Sequence, residues 1–206
     1  WLLLLLGGWG GLAQLAAVPA WIPAVSGAAN VLVIVPVLAL LVSLWQTADG
    51  KIAEAWKDNA TFRFLLVAAA LLMLLTLRTA VFGGHYTQFT FFATASTDIV
   101  LLGVFGLAAL GALHHIVPRL TTGDDELPSS GLVDLAFWAA LLGVLFVGIG
   151  FSLAGFAQAG VNAEAGKAFL KDGVVGIAGQ LKLVTVGYGA LALAALAFLA
   201  NFGLAV

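Results

Sequence analysis

The sequence is 206 residues long, 63% hydrophobic and only 9% charged, with a mean hydropathy of +1.13 and a formal net charge of -2. A water-soluble domain of this size does not run on so few charges, so the bilayer is the main solvent of the chain. The small net charge argues against a nucleic-acid partner, and the lack of Cys excludes disulfides, thiolate metal sites and Cys-ligated iron–sulfur clusters.

A helix needs about 20 mostly apolar residues to cross the hydrocarbon layer. Runs of that length recur at about 1–17, 24–47, 62–82, 89–117, 131–158 and 179–204. They predict an all-α fold, a polytopic transmembrane helix bundle of six spans that makes residues 1–206 a single transmembrane domain. The first span begins at Trp1 with neither an initiator Met nor the basic start of a signal peptide, so further residues are expected before it. The first connection holds Pro19, Trp21 and Pro23 and suits a tight interfacial turn between antiparallel neighbours. The second, Thr47 to Thr61, carries Asp49, Lys51, Glu54, Lys57 and Asp58. It shares a membrane face with the fourth, Thr121 to Ser130, which carries Asp124, Asp125 and Glu126. The other face has Gly83 to Tyr86 and the longer Val161 to Gly176. Basic residues divide evenly between the faces, Lys51, Lys57, Arg63 and Arg119 against Arg78, Lys167, Lys171 and Lys182, so charge does not orient the chain. Glycines inside the spans, Gly143, Gly155, Gly187 and Gly189 among them, allow close helix packing.

Ionisable residues within a membrane are costly and mark the places to look for function. Asp98, near the start of the fourth span, suits a protonated acid, a partner of Arg78, a member of a proton path with Arg78, or a residue wetted at the interface. His85 stands at the mouth of that span, as a surface hydrogen-bonding group or a ligand. His114 and His115 stand near its far end. Neighbours on a helix point about 100° apart, so these two do not readily share one metal ion, though either alone can be an axial haem ligand or an interfacial side chain. Gln14, Asn30 and Gln158 are intramembrane amides suited to interhelical hydrogen bonds. No nucleophile–base–acid set, phosphate loop or metal-ligand spacing is present in the sequence.

The string Gly84-His85-Tyr86-Thr87-Gln88-Phe89-Thr90, leading into a span that ends Gly111-Ala112-Leu113-His114-His115-Ile116-Val117-Pro118-Arg119-Leu120, resembles subunit one of the haem–copper oxidases. The likeness is to cbb-type cytochrome c oxidases and nitric oxide reductases. Pro19-Ala20-Trp21 with Pro36, Phe62-Arg63-Phe64-Leu65, Phe137-Trp138 and Ala154-Gly155-Phe156-Ala157-Gln158 are similar to further landmarks of the family in the same order. The resemblance implies that the six spans correspond to spans seven to twelve of that subunit.

The family binds two haems through a His-x-His pair in span ten, because residues two apart on a helix project to nearly opposite sides. It binds copper through a His-His pair near span seven. Here the corresponding stretches are Phe92-Ala93-Thr94-Ala95-Ser96-Thr97-Asp98 and Gly10-Gly11-Leu12-Ala13-Gln14, both without His. The fourth span is also about three residues longer than the family pattern. The resemblance with these departures implies a non-catalytic, structural or accessory membrane subunit of a respiratory oxidase or electron-transfer complex. It implies no cofactor on this chain, haem b in a partner subunit, other membrane subunits as partners, and the inner (cytoplasmic) membrane of a prokaryote as location. Two alternatives remain. One is half of a catalytic haem-containing terminal oxidase or nitric oxide reductase subunit, using His85, His114 or His115. The other is a proton channel or transporter using Asp98. The leading reading also expects Phe91 or Phe92 to pack towards the first helix, with Gly10 and Gly11 letting the helices close on a space that haem fills in relatives. It expects Ser96, Thr97 and Asp98 to face protein or water.

Overall fold

The computed structural model describes residues 1–10, 19, 21–83, 86–87, 89–121, 123, 127–164 and 169–205, and among them there are helices and turns but no strand. Five of the expected spans are described along their length: Ile22–Thr47, Ala60–Phe82, Phe91–Thr121, Ser130–Ala163 and Lys171–Ala205. Of the first, α1 (Leu2–Gly10) is helical, and residues 11–17 lie outside the described residues.

The second span is two helices, α2 (Ile22–Leu32) and α3 (Ile34–Thr47), joined at Val33. Pro36 accounts for the joint: it has no N–H for the carbonyl of Leu32, and its ring crowds that carbonyl. Between Thr47 and Thr61, where the sequence suggested only a polar connection, a short helix α4 (Ile52–Asp58) forms, and its Trp56 packs edge-on against Phe137 at 5.5 Å. Helix α5 (Ala60–Phe82) starts at Asn59, whose Oδ1 accepts the Phe62 N–H at 3.0 Å, a usual way to satisfy a first-turn donor.

The fourth span is continuous but not uniform. Helix α6 (Phe91–Asp98) runs into a π-helical stretch, Ile99–Gly106, and then α7 (Leu107–Thr121). A π-turn packs more residues into the same rise than an α-turn, so this stretch can absorb the extra length noticed in the sequence. Helix α8 (Ser130–Ala163) is central and lies along α9 (Ala178–Ala205). Gly143 and Gly187 make that closeness possible, since a Cβ on either would come within 3 Å of the other's carbonyl oxygen. At one end of the pair Asn201, fully buried, accepts the Ser129 N–H at 3.0 Å and donates to the Ser129 carbonyl at 2.9 Å. The core between α5, α7, α8 and α9 is built on Phe64, Leu71, Leu107, Phe137, Val144 and Ala194.

Candidate functional site

The start of the fourth span is seated directly on α8. A Cβ at Gly155 would collide with the backbone of Phe92, so only glycine lets the two helices approach this closely. The first-turn donors of α6 are satisfied by side chains: Phe91 N–H donates to Gln158 Oε1 at 2.9 Å and Phe92 N–H to Thr90 Oγ1 at 3.2 Å. With the backbone fixed there, the two rings straddle α8. Phe91 stacks on Phe151 at 5.3 Å and Phe92 lies 5.0 Å from Phe156. The expected packing of Phe91 or Phe92 towards the first helix is therefore corrected: both ring pairs lie on α8, while α1 packs against α2.

Arg78, near the end of α5, closes this corner. Its Nη1 donates to Ser96 Oγ at 2.6 Å, its Nη2 to the Phe92 carbonyl at 2.9 Å, and the guanidinium carbon lies 3.5 Å from the Phe92 ring centre. The sequence grouped Arg78 with Asp98, but they turn to different partners. Asp98 is two residues beyond Ser96 and so projects to nearly the opposite side of the helix. There its Oδ2 accepts the Tyr188 hydroxyl of α9 at 2.7 Å. Tyr188 was missed by sequence reasoning, although a Tyr hydroxyl in the middle of an apolar run needs a partner and signals one. Of the three residues expected to avoid lipid, Ser96 is tied inside by Arg78. Asp98 is partly covered, and Thr97 lies on the outer surface of this chain with its hydroxyl turned back to the Ala93 carbonyl at 3.4 Å.

The far end of the span holds the other candidates. His114 is buried, its ring stacked on Phe64 at 5.0 Å and tilted against Phe198 at 5.1 Å. Its Nδ1 lies 2.7 Å from the Leu110 carbonyl, which can only accept, so Nδ1 carries the hydrogen and Nε2 is left buried without a partner. His115 is exposed and pairs with Arg119 one turn on. Nearby, Arg63 meets Asp134 at 2.7 Å beside a polar pocket of about 390 Å³ whose walls include Lys57, Asn59, His114 and Arg119. His85, Gln14 and the acidic run Asp124 to Glu126 lie outside the described residues.

A larger groove, about 470 Å³, runs between α5, the Asp98 end of the fourth span and α8. It is walled by Leu71, Leu77, Phe92, Ile99 and Leu153, with Arg78 at one end. Haem iron needs an imidazole or comparable donor on such a wall, and the groove has none. The imidazole of His114 is covered on its faces by Phe64 and Phe198 and borders a pocket walled by charged side chains, which is no slot for a porphyrin. Some 23 residues, roughly 35 Å of helix, separate Phe91 from His114. Among the described residues no group of three His, Asp or Glu side chains is arranged to hold a metal ion. Among the described residues the groove thus offers no donor to haem iron, and no three-residue set is placed for copper.

The family model of cytochrome c and quinol oxidase polypeptide I matches residues 1–201. The cbb3-type cytochrome c oxidase subunit CcoN1 of Stutzerimonas stutzeri is 26% identical over 142 residues, covering 64% of this chain and 28% of that relative. The match therefore spans well under half of the relative's length.

Proposed function

This chain belongs to the cytochrome c and quinol oxidase polypeptide I family, and we propose that it serves there as a non-catalytic membrane subunit, a structural or accessory part of a respiratory oxidase or electron-transfer complex. The observation that carries this reading is the corner built by Arg78. In the stretch where relatives are expected to present two imidazoles to their haems, Phe92 and Ser96 are instead engaged by one guanidinium, and Asp98 is engaged by Tyr188. A guanidinium holds its charge and cannot ligate iron. What it does well is bind several acceptors at once in a fixed fork. The corner therefore suits locking α5, α6 and α8 together. On this reading any haem b of the parent complex is carried by a partner subunit, and the membrane is the inner membrane of a prokaryote.

The test is to purify the parent complex, separate this chain in mild detergent and record its haem spectrum and copper content. The expected result is haem and copper on other subunits and neither on this chain. Stoichiometric haem with a His axial ligand on the separated chain would overturn the reading in favour of a catalytic half-subunit.

A further inference from the structure

The polar pocket beside Arg63 lies where two long helices begin. Ala60 and Thr61 of the α5 start and Ser130 of the α8 start are all on its wall. The caps Asn59 and Ser129 each satisfy one first-turn donor, the N–H of Phe62 and that of Leu132, so the earlier N–H groups of both turns have no partner within their helices. A helix start carries a partial positive charge of about half an elementary charge. Two of them at one pocket favour an anion there.

The side chains add to this. Lys57, Arg63 and Arg119 share the wall with Asp58 and Asp134. Asp134 is answered by Arg63 at 2.7 Å, which leaves Lys57 and Arg119 against Asp58. Among the described residues three buried side-chain atoms lack a hydrogen-bond partner, and two of them, Arg63 Nε and His114 Nε2, belong to residues of this wall. His114 is 5% exposed. Its faces are covered by Phe64 and Phe198 and its Nδ1 is spent on Leu110, so the Nε2 edge is the part of the ring left to border the pocket.

Arg63 Nε can only donate, and Nε2 of this tautomer can only accept. The two are matched by a group that offers both an anionic oxygen and a hydroxyl. Sulfate has no hydroxyl at neutral pH. Water gives and accepts hydrogen bonds but leaves the excess of positive charge and the two helix starts unanswered. A phosphate group that keeps one hydroxyl supplies both, and basic pockets between membrane helices are places where phosphate head groups lodge.

We propose that this pocket binds an orthophosphate or phosphomonoester group that keeps one hydroxyl. Its anionic oxygens are held by Lys57, Arg119 and the starts of α5 and α8, and its hydroxyl donates to His114 Nε2. At about 390 Å³ the pocket also has room for the alcohol that an ester brings with it. The proposal does not rest on the accessory-subunit reading, since the pocket lies at the other end of the span from the Arg78 corner.

The test titrates the full chain in detergent, at neutral pH and constant ionic strength, with inorganic phosphate and with sulfate, and reads the heat of binding. Phosphate should bind about fivefold more tightly than sulfate, the worth of one hydrogen bond. His114→Leu should remove that preference, and Lys57→Gln and Arg119→Gln should each weaken both anions by about threefold. Lys57 and Arg119 are exposed, so their variants test the site independently of any loss of stability in His114→Leu. The titration is repeated in phosphatidylcholine nanodiscs with phosphatidic acid, a monoester, or phosphatidylglycerol, a diester, added to the bilayer. Displacement of phosphate by phosphatidic acid alone assigns the bound group to a lipid, and displacement by neither assigns it to solution; both results uphold the site. Sulfate binding as tightly as phosphate, phosphatidylglycerol displacing it as well as phosphatidic acid does, unchanged titrations in Lys57→Gln and Arg119→Gln, or no saturable binding would each overturn the proposal.

Discussion

The guanidinium of Arg78 covers the Phe92 ring at 3.5 Å while its Nη2 donates to the carbonyl of that same residue at 2.9 Å. One side chain thus grips both the backbone and the ring of the first turn of α6. A desolvated cation–π contact contributes about 2 kcal/mol and a charged hydrogen bond about 1.5–3 kcal/mol, and the two are not additive. Arg78→Met should therefore lower stability by about 3 kcal/mol in reversible unfolding from mixed micelles. Lysine has no planar fork and should recover only part of that loss, and Ser96→Ala should cost about 1 kcal/mol. Equal stability of Arg78→Met and the parent chain would show that the grip contributes nothing.

Gly155 and Gly27 make a matched pair. Replacing a helical glycine by alanine gains up to about 1 kcal/mol from propensity wherever the methyl group has room. At Gly27 it meets nothing within 4 Å, so Gly27→Ala should be neutral or slightly stabilising. At Gly155 it would strike the backbone of Phe92, which cannot rotate aside as a side-chain tip can, so Gly155→Ala should cost about 3 kcal/mol and separate α6 from α8. Melting temperatures of the two variants moving in the same direction would contradict the packing described.

Asn201 satisfies both the N–H and the carbonyl of Ser129 from a fully buried position. Asn201→Leu leaves both backbone groups without these partners and should cost about 2–3 kcal/mol. Asn201→Asp keeps an acceptor for the N–H but, when ionised, sets an oxygen against the Ser129 carbonyl, so it should be at least as damaging. Hydrogen exchange at the Ser129 amide is the direct check, with faster exchange expected in both variants.

The spans were legible in the sequence because hydropathy reports depth, and about 20 apolar residues in a row have few other uses. The described ends of α3, α5 and α9 fall within a residue or two of those expected from composition. Azimuth was not legible. Nothing in a run such as Phe92 to Asp98 says which side meets which neighbour, so Arg78 was grouped with Asp98 as a fellow intramembrane ionisable residue, although two residues of helix turn Asp98 towards Tyr188. The π-helical stretch after Asp98 was foreshadowed only by the extra length of the span, since Ile99 to Gly106 has no distinctive composition. Helix α4 was hidden because its seven residues are mostly polar or small, with Trp56, set on Phe137, as its large apolar anchor.

His114 holds a buried Nε2 without a partner, which costs stability with no compensating bond. Its Nδ1 bonds a carbonyl within its own helix, so removing the ring gives up little hydrogen bonding. His114→Leu should be within about 1 kcal/mol of the parent chain, the gain from losing an unmet polar atom offsetting the weaker packing on Phe64 and Phe198. On the proposed function it should also leave the haem content of the parent complex unchanged. A loss of haem in His114→Leu would reassign that imidazole as a ligand.

Arg63 and Asp134 meet at 2.7 Å, yet the pair is lopsided: the Arg63 side chain is 15% exposed and that of Asp134 53%. An exposed ion pair contributes about 0–1 kcal/mol, but a charge that stays buried after its partner is removed costs several times that. The two single variants should therefore differ in kind. Asp134→Asn strands the Arg63 cation, whose Nε already lacks a partner and which lies 5.5 Å from the Phe137 ring, and it should cost about 2 kcal/mol. Arg63→Met leaves Asp134 solvated and keeps an apolar stem against Phe137, so the loss of charge should cost less, about 1 kcal/mol. With Met already at position 63, adding Asp134→Asn should then change almost nothing, giving a coupling of about 2 kcal/mol in the double-mutant cycle, on the order expected for groups in direct contact. Raising the salt concentration should weaken the parent pair only slightly, because the buried partner is poorly screened. A cycle with no coupling, or Arg63→Met as the more damaging single variant, would show that Arg63 is held by its packing on Phe137 rather than by Asp134.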